Sequence, residues 1–233
     1  MVSIKHILGD AFLLFFPHNC LGCGSDLLSE TNLLCLQCIS RLPHTGYENI
    51  VNNPVENIFR GRVLLKAATS QFYFSKGQLV QQLIHHLKYK GNKEAGEWMG
   101  AAMGRSLLQS GRFSNMDYII PLPLYADKEF KRGFNQAEIL CKGMSQAMGI
   151  PLLTKNVIRQ RHTDTQTKKH RAERWENVEG SFAVKKPATL HGKNILLVDD
   201  VITTGATLEA CTQCLLEVPA IQVSLASVAI ASK

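Results

Sequence analysis

The spacing of apolar residues changes period several times along the chain, and each change marks an element. Over 1–17 the apolar positions suit one face of an amphipathic helix. Residues 63–74 are strand-like and end in the alternating Phe72-Tyr73-Phe74. Residues 78–87 put Leu79, Leu83 and Leu87 on one helical face, and 94–108, 136–148 and 206–217 predict further helices. Short apolar runs at 118–122 and 195–198, and a longer one at 221–230, predict buried strands. Strands alternating with helices imply βαβ units and a parallel sheet, which binds ligands at its carboxyl edge. Residues 18–43 hold four cysteines among short turns, and 44–62 are polar and turn-rich, so they read as a linker. The expected division is a helix and small cysteine module over 1–43, a linker over 44–62, and an α/β domain over 63–233.

Length and composition agree with this division. A chain of 233 residues, 45% hydrophobic and 19% charged, suits one medium α/β domain plus a small module. No apolar run is long enough to span a bilayer. Asp10 interrupts the N-terminal apolar stretch and no small-residue cleavage site follows it, so a docking helix is preferred to a secretory signal and a cytoplasmic chain is expected. The net charge of +7 is concentrated. Between 155 and 174 stand Lys155, Arg159, Arg161, Lys168, Lys169, Arg171 and Arg174, against Asp164 and Glu173. Such a block suits an anionic partner, nucleic acid or a phosphorylated small molecule, although a solvated loop is the plainer alternative.

Cys20-x₂-Cys23 and, eleven residues later, Cys35-x₂-Cys38 form two knuckles that can place four thiolates on one tetrahedral ion. A structural zinc site with no open position is expected there, and no catalysis is assigned to it. Cys211 and Cys214 lie three apart within a predicted helix, have no second pair near them in sequence, and read as core residues.

The segment from Ile195 to Thr207 carries the most specific chemistry. Four apolar residues lead into Asp199 and Asp200, where the strand is expected to stop at the carboxyl edge. Two acids there can accept hydrogen bonds from vicinal sugar hydroxyls or hold Mg²⁺. Thr203, Thr204, Gly205, Ala206 and Thr207 then open a helix, and its backbone N–H groups with three hydroxyls make a phosphate cradle. The plain alternative is a capped helix after an Asp-Asp turn. The segment is not a Walker loop, because it lacks the Gly-Lys-Thr ending.

This combination resembles the phosphoribosyl-pyrophosphate (PRPP) signature of type I phosphoribosyltransferases. The resemblance implies a 5′-phosphate on residues 203–207, ribose hydroxyls on Asp199 and Asp200, and Mg²⁺ held mainly through the pyrophosphate. With Leu87-Lys88-Tyr89-Lys90-Gly91, Pro121-Leu122-Pro123-Leu124, Arg132-Gly133-Phe134-Asn135-Gln136 and the four-cysteine module, nearly the whole chain resembles the ComF/GntX family. That family implies a phosphoribosyltransferase fold behind a zinc module and a setting in competence, DNA uptake or use of DNA. Single-stranded DNA and DNA-uptake proteins are the partners it implies beside PRPP. It also implies that the Pro121 to Leu124 turn, Arg132, Asn135 and Gln136 face the diphosphate, with Lys88 and Lys90 as further candidates. The basic block would be a hood, with Arg159, Gln166 and Arg171 as its ligand-facing members. A glutamine-using enzyme is not expected, since the first cysteine is the zinc ligand Cys20. A PRPP transferase, a single-stranded-DNA-binding factor and a PRPP-sensing regulator remain as readings.

Overall fold

The computed structural model describes residues 18–27, 32–160 and 181–231. The helix expected over 1–17, and the hood residues Gln166 and Arg171 with the rest of 161–180, lie outside the described residues. The chain opens with an antiparallel pair, β1 (His18–Asn19) and β2 (Asp26–Leu27), and a short helix α1 (Leu36–Ser40). A 3-10 turn (Tyr47–Asn49) and α2 (Pro54–Phe59) lead into β3 (Ala67–Phe74), α3 (Leu79–Tyr89) and α4 (Lys93–Ser110). Next come β4 (Tyr118–Pro121), α5 (Ala126–Arg132), α6 (Gln136–Met148) and β5 (Val157–Arg159). The described chain closes with β6 (Phe182–Val184), α7 (Pro187–Leu190), β7 (Asn194–Ile202), α8 (Ala206–Leu216) and β8 (Gln222–Ala231).

The central sheet has the order β3-β8-β7-β4, and every pairing in it is parallel. Both faces are covered, which is why its strands read as continuous apolar runs. Successive side chains of β7 divide between the faces. Leu196 and Val198 join a core with Leu83, Leu87, Met99, Met103 and Leu140, from the α3, α4 and α6 side. Ile195 and Leu197 join a core with Val55, Phe59, Leu208, Cys211 and Leu215, from the α2 and α8 side. Helices α4 and α6 touch backbone to backbone. A Cβ on Gly100 would lie 2.0 Å from the Leu140 carbonyl oxygen, and one on Gly143 would lie 2.0 Å from that of Glu97.

Two expectations change. The strand does not stop at Asp199. The ladder with β4 ends at Pro121 opposite Val198, but β8 continues alongside, pairing Asp199 with Ser227, Val201 with Ala229 and Ile202 with Ile230. The acid pair therefore sits in a strand that outruns its neighbour on one side. Nor is 44–62 a slack connection. Asn53 caps α2 by accepting from the Val55 and Glu56 N–H groups, and its Nδ2 donates to the carbonyls of Tyr47, Ile50 and Ala68 at 3.1, 2.9 and 2.8 Å. Val55 and Phe59 are buried in the core. A helix this short buries only two large side chains, too few to show a period. The short β5–β6 ribbon has no marked apolar period, and it carries Arg159 of the basic block. No helix among the described residues is long and apolar enough to cross a membrane.

Candidate functional site

The extension of β7 beyond β4 leaves Asp199 and Asp200 partly buried at the carboxyl edge. The Asp200 N–H donates to Asp199 Oδ1 at 2.8 Å, so the backbone turns the first carboxylate toward the second residue. Burial, and then the charge of Asp200, push the Asp199 carboxyl up to about 7, and Lys88 and Arg159 pull it partly back. Lys88 arrives from the last turn of α3 and places Nζ 2.6 Å from Asp200 Oδ2. Of the two lysines singled out in that run, Lys88 joins the acid pair, whereas Lys90 is exposed with Nζ 3.5 Å from His86 Nε2.

Residues 203–207 follow directly. They line a hollow of about 40 Å³ together with Asp199, Val201, Ile202 and Leu208. Gly205 holds φ +77°, and a Cβ there would meet the Phe59 ring at 2.8 Å. Helix α2 is thus the floor behind the loop. Arg62 adds a second support, donating from Nη1 to the Thr204 carbonyl at 3.1 Å and pairing through Nη2 with Glu209 in the first turn of α8. Phe59 and Arg62 were not singled out from sequence. No motif marks them, because they act on the loop from behind.

The remaining candidates are distributed around this edge. Arg159 stacks over Tyr125 at 4.0 Å and over Phe182 at 5.2 Å, and its charge is felt at Asp199. Its Nε is buried without a hydrogen-bond partner among the described residues. Arg132 ends α5 and stacks on Tyr89, 6.0 Å from the ring centroid. Asn135 is buried and acts as the cap of α6, accepting from the Ala137 N–H while its Nδ2 donates to the Leu122 carbonyl at 3.0 Å. Gln136 is buried as well. The Leu122 N–H is engaged by the Val198 carbonyl at 2.8 Å and both prolines lack an N–H, so Leu124 is the turn's remaining amide donor among the described residues.

The Sγ atoms of Cys20, Cys23, Cys35 and Cys38 lie within 4.8 Å of one another, and Cys23 and Cys35 are 3.7 Å apart. Metal–sulfur bonds of about 2.3 Å in a tetrahedron set thiolates roughly 3.8 Å apart, so the donor set fits one ion. Burial and the other three thiols push Cys38 up to about 12, as expected when a cluster must lose several protons without a cation. Cys211 is buried in the core and Cys214 packs beside it, as the sequence suggests.

A phosphoribosyl transferase domain model matches residues 132–232, the stretch that contains the acid pair and the loop. Competence protein F of Haemophilus influenzae is 29% identical over 86% of this chain and 92% of its own length. This chain is a homologue of competence protein F that carries a phosphoribosyl transferase domain. Two further homologues carry names of the same kind. Competence protein ComFC of Bacillus subtilis is 28% identical over 85% of this chain and 78% of its own length. The DNA utilization protein YhgH of Escherichia coli is 31% identical, and the match spans 58% of this chain and 60% of that protein. Among solved structures, a glutamine PRPP amidotransferase from B. subtilis aligns with a TM-score of 0.39 and 21% identity, covering 56% of this chain and 26% of that one.

Proposed function

We propose that this chain binds PRPP with Mg²⁺ at the carboxyl end of β7 and serves the uptake or use of DNA. The reading rests on one observation. A single segment presents Asp199 and Asp200 beyond the end of β4 and then residues 203–207 at the start of α8. In this reading the 5′-phosphate accepts from the loop N–H groups and from the hydroxyls of Thr203, Thr204 and Thr207. The ribose hydroxyls donate to Asp199 and Asp200. Arg159 Nε, buried and unpaired among the described residues, is a spare donor on a side chain whose charge is felt at Asp199. Lys88 and Arg132 lie at the rim toward the diphosphate. Oxygen donors of this kind suit Mg²⁺, which supplies charge neutralisation of the pyrophosphate when bound.

On turnover, the C1–oxygen bond of PRPP breaks, pyrophosphate leaves with the bonding pair, and the lone pair of an acceptor forms the new bond to C1. The four cysteines hold zinc in a purely structural role. Four thiolates that hold a metal must stay reduced, which suits a cytoplasmic setting. The DNA setting comes from relatives named for competence and DNA utilization.

Calorimetry with PRPP and Mg²⁺ tests the pocket. Binding is expected, and Asp200→Asn should weaken it at least roughly tenfold, the scale of a lost charged hydrogen bond. Equal affinity in the variant would overturn the assignment. A pyrophosphate-release screen over bases, amines and DNA then separates a transferase from a PRPP sensor.

A further inference from the structure

Asp200 already has a cation. Lys88 Nζ lies 2.6 Å from its Oδ2, and both side chains are largely withdrawn from water, at 23% and 13% exposed. The backbone behind the ammonium is fixed. Lys88 is the last residue but one of α3, and Leu83, Ile84 and Leu87 of the same helix are buried in the core. The side chain is the part that can move. Four methylenes carry the ammonium, a compact charge with three donors and no fixed plane. The neighbouring lysine does not duplicate it, because Lys90 turns to His86.

Two adjacent carboxylates suit a divalent cation. An ammonium on one of them opposes that, since a metal ion must either displace it or sit beside it against like charge. A sugar that carries a diphosphate meets a different balance. Its hydroxyls can donate to Asp200 in place of the ammonium, and its diphosphate gives the ammonium a stronger anion to turn to. Ribose 5-phosphate has the hydroxyls and the 5′-phosphate but nothing to receive Lys88. Arg132, stacked on the adjacent Tyr89, brings a second positive charge to the same end of α3, so an anion there meets two cations.

We infer that Lys88 is a movable counter-ion of the acid pair, which holds Asp200 against bare metal ions and transfers to the diphosphate of the incoming sugar. The transfer rests on the PRPP reading above, whereas the hold on Asp200 rests on the ion pair itself. Metal then enters the site with the sugar diphosphate and not ahead of it. Lys88 also selects the diphosphorylated sugar over the monophosphate. Neither the acids nor residues 203–207 can make that choice, because both sugars present the same hydroxyls and the same 5′-phosphate.

The test uses the full chain. Mn²⁺ alone is followed by the paramagnetic resonance of the free ion, and PRPP and ribose 5-phosphate, each with Mg²⁺, by calorimetry. Lys88→Met removes the charge and keeps the length. It should bind Mn²⁺ alone at least roughly tenfold more tightly than the wild type, the scale on which a charged hydrogen bond competes. It should lose at least roughly tenfold in PRPP affinity, on the same scale, while its ribose 5-phosphate affinity holds or rises. Lys88→Arg should restore most of the preference for PRPP. Loss of the fold would lower all three affinities, so a gain for Mn²⁺ cannot come from it. Adding Asp200→Asn to Lys88→Met should abolish that gain. Equal Mn²⁺ binding by wild type and Lys88→Met, or a gain that survives Asp200→Asn, overturns the hold on Asp200. Equal losses for the two sugars, or no loss for either, overturn the transfer. A wild type that binds neither sugar, with the Mn²⁺ gain intact, would overturn the pocket and the transfer and leave the hold on Asp200 standing.

Discussion

Gly205 has two separate reasons to be glycine: a left-handed backbone with φ +77°, and a ring of Phe59 where a Cβ would lie. Gly205→Ala should therefore cost about 1–3 kcal/mol of stability from backbone strain. It should also weaken PRPP binding more than Ala206→Gly does, as urea denaturation and calorimetry would show. Asp199 gives a second prediction at this scale. Its carboxyl is raised from 3.8 to about 7 in the folded chain. Between those values the folded chain keeps a proton that the unfolded chain has released, so stability falls as pH rises across that window and levels off above it. Asp199→Asn cannot lose the proton. Its melting temperature should fall less than that of the wild type between pH 5 and pH 8, and an identical fall in both chains would refute the raised carboxyl.

At the scale of elements, α2 shows where the sequence was legible and where it was not. Helix α6 was legible over its full extent because its apolar period runs for thirteen residues. The acid pair and the loop were legible because their chemistry lies in one unbroken segment. Helix α2 was not, since its role depends on what Asn53 and Phe59 meet across the fold. The continuation of β7 past Asp199 was hidden for the same reason: pairing with β8, not the side chains of residues 199–202, keeps that stretch extended. Lys88 was visible as a candidate, but only the direction of α3 decides that it and not Lys90 reaches Asp200. Removing Asn53 tests the element directly. Asn53→Ala deletes the cap and removes one donor from the Ala68 carbonyl and from those of Tyr47 and Ile50, which keep Arg112, at a cost of about 2 kcal/mol. Because α2 backs Gly205, the same change should weaken PRPP binding although Asn53 touches no ligand, and an unchanged affinity would separate the helix from the loop.

Across the whole molecule, the cysteine module and the acid pair are joined through α3. Leu34, Cys38 and Leu42 belong to the same core as Leu83 and Leu87 of that helix, and a Cβ on Gly22 would meet Leu79 at 2.8 Å. The module therefore covers one end of α3, while Lys88 near the other end reaches Asp200. Folding of a small four-thiolate module is coupled to its metal, since the unfolded chain has no preformed site. One zinc per chain is expected by metal analysis, and Cys20→Ser with Cys23→Ser should abolish it. Loss of the ion should expose Leu34 and Leu42 and uncover Leu79, lowering the melting temperature by roughly 2–4 °C for each kcal/mol lost in a chain of this size. The loss should also reach the far end of α3, where Lys88 and Tyr89 lie in adjacent positions. PRPP affinity should then fall in the zinc-free chain, although in this reading the ligand contacts no cysteine. A zinc-free chain with normal melting would refute the metal module. A chain that loses stability but keeps its PRPP affinity would show that α3 holds its place without the module, and that the module serves a surface of its own.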